Sequence, residues 1–232
     1  MKNTNARTLL ILFILVVSTL HVSAQKTVVL DAFSKHNIDA GILNPANLQE
    51  PDDYAFDLKQ TTIAAGKTNI TIAKFDPSRP KEEQWTVVSV DGKSPSKGDV
   101  NSFRKNKVKQ QSSEQSDDAS YKIEKESADY LVISYKPDAT TVPKDAAFMK
   151  DCRLYMTINL KTCKLEQVQA QNEKPVKIKI LNVEKFDLVM KYNQNDAKRY
   201  FPVNEDLNIQ AKFIGQPVTV KTLTERSNFV KK

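Results

Sequence analysis

Two hydrophobic patterns divide the chain. Residues 27–48 carry apolar side chains without period-two order, which predicts a short helix followed by an irregular segment. From residue 54 onward apolar and polar positions alternate, as they do in strands with one buried face. Residues 130–135 are apolar on both faces and are expected to form a central strand. The alternation itself recurs in residues 54–58, 70–72, 85–90, 152–158, 176–180, 186–192, 207–213 and 218–220.

Turn and cap signals separate these segments. Residues 65–67 and Asp91-Gly92 are typical of tight turns. Ser96, with Asp99 three positions later, resembles a capping box and predicts a helix over residues 96–106. The residues that follow are polar, and about 107–120 are expected to form a mobile loop.

Together these elements predict an α+β fold that is mainly antiparallel β. Nine or so strands joined by short turns have to curl over their apolar face, which gives a curved half-barrel sheet covered by one or two short helices. The helix at 96–106 is the expected cover for the open side of the sheet.

The N-terminal residues have the pattern of a signal peptide. Lys2 and Arg7 precede an uncharged run over residues 9–20, and Val22-Ser23-Ala24 follows it. A transmembrane helix needs about 20 apolar residues, and this run is shorter. We expect cleavage after Ala24, with residues 1–24 as signal peptide and 25–232 as a single soluble domain, periplasmic or secreted. An uncleaved anchor helix is the alternative.

The rarest residue types limit the chemistry. After cleavage His36 would be the only histidine, so neither a multi-histidine zinc centre nor an elbow-type Ser-His-Asp triad is expected. The five glycines never cluster, which argues against a phosphate-binding loop. We therefore predict no catalytic residue, no metal, no cofactor and no enzymatic activity, although a carboxylate pair of the glycosidase type stays open.

The charge is mildly basic. Without Lys2 and Arg7 the net charge falls from +7 to +5, with 33 basic against 28 acidic residues. Outside the cytoplasm such a surface would meet an anionic envelope component, and no nucleic acid partner is expected. Basic residues scattered only for solubility are the alternative.

The two cysteines are expected to lie on one hairpin without bridging. A turn at residues 159–162 would place Cys152 opposite Gln169, about 20 Å along the strand from Cys163. A disulfide would need a turn at Thr157-Ile158, which is poor turn chemistry. An oxidising compartment would still permit one.

Several short segments resemble a known superfamily. They are Phe75-Asp76-Pro77, Trp85, Val90-Asp91-Gly92-Lys93-Ser94-Pro95 and Phe103-Arg104-Lys105. Together with the hairpins of the second half, they are similar to exported bacterial proteins of the outer-membrane lipoprotein-sorting (LolA/LolB-like half-barrel) superfamily. The chain lacks a cysteine at the predicted cut, so the soluble carrier is its closer analogue.

The resemblance implies an apolar cavity between the curved sheet and a helix. Its ligand would be a lipid or an acylated protein, held by a binding protein of the periplasm or exterior. A non-enzymatic envelope scaffold, with a packed barrel and a basic surface, is the alternative. Under the first hypothesis the cavity is lined by Phe75, Trp85, Val87, Phe103, Phe186, Leu188 and Met190, which under the second only fill a core.

Overall fold

The computed structural model describes residues 24–108, 115–195 and 198–232. The predicted signal peptide and cut site lie outside these residues, apart from Ala24. The described helices are α1 (Ala24–Lys35) and α2 (Lys97–Val108), with 3-10 turns at Ala40–Leu43, Pro45–Leu48, Asp118–Ser120 and Lys144–Asp151. None of the described helices is both long and apolar enough to cross a membrane.

Eleven antiparallel strands follow the predicted alternation. They are β1 (Tyr54–Ala64), β2 (Lys67–Phe75), β3 (Trp85–Val90), β4 (Lys122–Glu126), β5 (Tyr130–Tyr135), β6 (Cys152–Asn159), β7 (Lys164–Asn172), β8 (Val176–Ile178), β9 (Leu181–Gln194), β10 (Tyr200–Phe213) and β11 (Gln216–Lys231).

One open sheet contains all of these strands. Its order is β3-β2-β1-β11-β10-β9-β7-β6-β5-β4, and β8 pairs with β9. The last strand of the chain thus pairs with the first, which joins the two hairpin runs into one surface. Among the described residues β3 and β4 are free edges, so the sheet is not closed. The predicted fold class, mainly antiparallel β with short helices, is confirmed.

Helix α1 covers the larger part of the core, whereas the sequence had predicted α2 as the covering helix. Val29 and Phe33 of α1 are fully buried against β5, β6 and β7, on which Leu131, Ile133 and Met156 are 0% exposed. The helix at 96–106 was expected to be the cover, and it lies only over the β1–β3 end of the sheet. The physical reason is apolar content, because α1 buries Val29, Ala32 and Phe33 while α2 is mostly polar and contributes mainly Phe103.

The predicted cap of α2 is confirmed. The backbone N–H of Asp99 donates to Ser96 Oγ at 3.2 Å, and that of Ser96 donates to Asp99 Oδ2 at 2.9 Å. The two hydrogen bonds satisfy donors that the first helical turn leaves free. Hydrogen bonding by Ser96 lowers the pKa of Asp99, because it favours the ionised carboxylate.

The register of the cysteine hairpin was predicted wrongly. Cys152 pairs with Asn172 rather than with Gln169, because the turn comes after Asn159 and a bulge at Thr157/Ile158 adds one further residue. Cys163 lies in the turn with a φ of 54°. Cys152 and Cys163 are not bridged to each other and lie at opposite ends of the hairpin.

Two further expectations need correction. The strand over residues 130–135 is β5, which is second from the edge of the sheet rather than central. It is buried because α1 covers one of its faces and Arg153 donates a hydrogen bond to Ser134 on the other. Of the residues expected to form a polar loop, about 107–120, residues 107–108 end α2 and residues 115–120 include several backbone hydrogen bonds. Asp117 N–H donates to the Lys136 carbonyl and Lys136 N–H to Ser120 Oγ. Residues 109–114 lie outside the described residues.

Candidate functional site

The seven predicted cavity residues lie on one face of the sheet, in two separate groups. The register places Phe75 opposite Trp85 and Ala73 opposite Val87, at the β2–β3 end. Phe186, Leu188 and Met190 are on β9. Strands β1, β11 and β10 lie between the two groups in the sheet.

The first group is an aromatic cluster. The ring of Trp85 lies 5.1 Å from Phe75 and 5.3 Å from Phe103 of α2, with Phe56 at 5.6 Å. Arg104 fixes the helix on the strand, since its Nε and Nη2 both donate to the Trp85 carbonyl. Edge and tilted ring contacts of this kind stabilise a core by about 0.5 to 1.5 kcal/mol each, so this group packs α2 onto the sheet.

The second group continues into an apolar strip. Phe186 pairs with Ile209, and Leu188 pairs with Leu207 of β10. Three of these four side chains, Leu188, Leu207 and Ile209, are only half-buried, whereas Leu131, Ile133, Met156 and Ile158 on the same face of β5 and β6 are fully buried. We call these four residues the apolar strip. It leaves apolar area on the face that α1 covers elsewhere.

An ionic cluster ends the strip on the side of Met190. Glu205 pairs with Met190 in the sheet. Arg226, 8% exposed, donates through Nη2 to Glu205 Oε2 at 3.1 Å and through Nε to Glu50 Oε1 at 2.6 Å. Its Nη1 has no hydrogen-bond partner among the described residues. The cluster therefore places one spare buried donor beside the apolar strip.

Burial and neighbouring charges shift the pKa values here. Burial disfavours the charged guanidinium of Arg226, but the carboxylates of Glu50 and Glu205 outweigh it and raise its pKa. Burial lowers the pKa of Lys107, whose Nζ lies 5.1 Å from the Trp85 ring centroid. Burial also raises the pKa of Tyr192, which is next to the cluster. A cation over a ring and two half-buried carboxylates make this a polar boundary between the aromatic cluster and the strip.

The sequence analysis missed Arg226 and Glu205. A signal for both was present, since Glu205 is in phase with Leu207 and Ile209, and Arg226 is in phase with Val218 and Val220. A charged residue in phase with the apolar face of a strand must be buried and needs a partner.

The opposite face of the sheet carries a groove of about 1090 Å³. It lies where β10 and β11 separate, because their pairing begins only at Asn204 and Glu225. Six strands contribute to its lining, which includes Asp57, Lys59, Lys74, Glu166, Lys191 and Glu225. The groove is thus rimmed by charges of both signs, unlike the apolar strip.

The one histidine of the predicted mature chain is in hydrogen-bond contact with a carboxylate. His36 Nε2 lies 2.8 Å from Glu126 Oε1, which Lys35 also contacts. Hydrogen bonds from Lys35 and His36 lower the pKa of Glu126. Over the part of the chain that the structure describes, no three His, Cys, Asp or Glu side chains are grouped to hold a metal ion.

Comparison with known proteins gives similar structures only. The chain is similar to a DUF1329 family protein from Desulfovibrio piger, with 9% identity, 81% of this chain and 89% of that chain covered, and a TM-score of 0.38. It is also similar to a LolA superfamily protein from Nitrosomonas europaea, with 8% identity, 84% and 94% covered, and a TM-score of 0.35. No protein-family model and no curated protein matches the sequence.

Proposed function

We propose that the protein is an exported, non-enzymatic binding protein whose ligand carries an acyl chain, held along the apolar strip. The supporting observation is the half-burial of Leu188, Leu207 and Ile209 on the same face that α1 covers over β5 to β7. Each CH₂ group of an acyl chain that leaves water contributes about 0.8 kcal/mol, so such a strip is sufficient for capture.

The polar end of the strip suits an acyl ligand. The spare Nη1 of Arg226 can donate to a carboxylate, ester or phosphate oxygen at the end of the chain. The aromatic cluster, assigned to the cavity from the sequence, then serves to anchor α2 and takes no part in binding. The binding residues of this proposal are Phe186, Leu188, Met190, Leu207, Ile209 and Arg226.

A scaffold role is the second candidate. Its support is the packing of the α1-covered part, where Leu131, Ile133 and Ile158 are 0% exposed, together with the charged groove on the opposite face. Under that hypothesis the groove binds an anionic or mixed-charge envelope component and no acyl chain enters the protein.

Two tryptophan variants separate these candidates. Leu188→Trp fills the strip, and the matched Lys191→Trp, three residues along β9, fills the groove on the opposite face. We expect a fluorescent fatty acid to bind the parent and Lys191→Trp alike and to be lost from Leu188→Trp. Native mass spectrometry should also find acyl lipid in the purified parent. Absence of lipid and of fatty-acid binding in the parent would leave the scaffold role.

A further inference from the structure

The corner of the sheet where β8–β11 end exposes large apolar side chains. Asn182 of β9 pairs with Lys212 of β10, so the turns at residues 179–180 and 214–215 lie side by side. Ile214 is 83% exposed, Ile180 is 70% exposed and Phe213 is 39% exposed. We call residues 179–180 and 213–215 the tip.

Turn chemistry does not account for Ile214. Three hairpin turns have nearly the same geometry, with φ of 49° and 74° at Ala65-Gly66, 50° and 73° at Asp91-Gly92, and 49° and 77° at Ile214-Gly215. The first position of such a turn favours Asn, Asp or Gly, and a β-branched residue with positive φ is strained. Ile214 is thus both strained and exposed, and neither property contributes to the stability of the fold.

The tip also protrudes beyond the neighbouring hairpin. Ala64, the last residue of β1, pairs with Val220 of β11. The β11 strand begins four residues earlier, at Gln216, so residues 216–219 extend past the β1–β2 turn. At about 3.3 Å per residue this is roughly 13 Å. A flat surface can therefore meet the tip before it meets the rest of this edge.

Charge around the tip favours an anionic surface. Lys177 and Lys179 are exposed, and neither has an ionic partner among the described residues. Lys212 is paired with Glu184 at 2.6 Å, so the corner keeps a positive excess. Lysines beside exposed apolar side chains are the combination that anionic bilayers attract.

We propose that the tip docks on a membrane containing anionic lipid, with Ile180, Phe213 and Ile214 inserted between headgroups and Lys177 and Lys179 against them. Phe213 lies on the same face of β10 as Ile209 of the apolar strip, and the buried Ala211 lies between them. The docking surface stands on its own observations and does not require the strip to hold a ligand.

Vesicle binding of turn variants tests the docking surface. Ile214→Asn places a favoured residue in the turn, so the urea midpoint should hold or rise, while affinity for vesicles of phosphatidylcholine and phosphatidylglycerol should fall at least about tenfold. Ile180→Ser should have a similar effect on affinity. Lys177→Glu and Lys179→Glu should each lower the affinity for these vesicles about fivefold or more. Their effect on the affinity for vesicles of phosphatidylcholine alone should be small.

Matched controls lie far from the tip. Val230→Ser removes an exposed apolar side chain at the other end of β11, and Lys122→Glu reverses an exposed charge on the edge strand β4. The protein should be purified as the cell processes it, with its N terminus determined by mass spectrometry. Unchanged vesicle binding by Ile214→Asn, or equal loss in Val230→Ser, would overturn the proposal. So would a loss of self-association in Ile214→Asn without a loss of vesicle binding, since the tip would then join two copies. Fatty-acid binding by Ile214→Asn reports separately on the strip.

Discussion

Two regions on the same face of the sheet have similar hydrophobic alternation but differ in how deeply their side chains are buried. In the α1-covered region, which we call the packed half, the inward residues Leu131, Ile133, Met156 and Ile158 of β5 and β6 are fully buried under a helix. In the apolar strip the inward residues of β9 and β10 alternate just as regularly and remain half-buried. The difference lies in what covers the strands, since an uncovered side chain keeps apolar area available to a ligand.

The largest expected effect is the difference in unfolding free energy between two Leu→Ala substitutions, one in each region. Leu131→Ala in the packed half should cost about 2 to 5 kcal/mol, because lost burial and a new void add together. Leu188→Ala in the strip should cost about 1 kcal/mol or less, because the side chain already lacks neighbours on one side. Urea denaturation of both variants measures the contrast, and equal large losses would show that the strip is packed after all.

The ionic cluster at the boundary should give an intermediate effect. Glu205→Gln leaves the buried guanidinium of Arg226 with Glu50 as its one carboxylate partner and should cost about 1 to 3 kcal/mol. The control is Glu225→Gln on the neighbouring strand, whose pair with Lys59 is exposed, and there we expect a change within about 0.5 kcal/mol. Thermal or urea unfolding compares the two. Equal effects would mean that the cluster is solvated.

Alkaline pH should act on the packed half. Burial raises the pKa values of Tyr121, Tyr192 and Tyr200, all of which belong to it. Because the folded-state pKa is raised, the stabilisation that these neutral tyrosines contribute is fully present below the ordinary tyrosine pKa of about 10. It is lost as the pH rises beyond that value. Burial lowers the pKa of Lys107, so this residue acts in the opposite direction.

The tyrosine contribution is isolated with Tyr192→Phe. The urea midpoint of this variant should fall less than that of the parent when the pH is raised through the alkaline range. Hydrogen exchange should show the first loss of protection in β5, β6 and β7. Identical pH profiles for the two proteins would contradict the assignment to Tyr192.

The smallest effect on stability is expected for Leu188→Trp. A half-buried position with open space beside it accepts the larger ring, so the urea midpoint should change little, whereas a packed core would be strained by about 1 to 3 kcal/mol. A large loss of stability in this variant would erase the distinction between the strip and the packed half.

The sequence by itself determined the strands, the turns and the caps. Alternation placed Leu188, Leu207 and Ile209 on one face, Asp91-Gly92 marked a turn, and Ser96 with Asp99 marked the start of α2. These features depend on residues close together in the chain, where period, φ preference and local hydrogen bonds are read directly.

Only the tertiary structure decided what covers each strand. It placed α1 rather than α2 over the main core, moved Cys152 opposite Asn172, and brought Glu50 to Arg226 across 176 positions of sequence. It also separated Phe75, Trp85 and Phe103 from Phe186 and Leu188, and packed Met190 against the α1-covered core. Periodicity identifies which face of a strand is apolar, but the element that packs on this face comes from elsewhere in the chain, so burial and partners follow from topology.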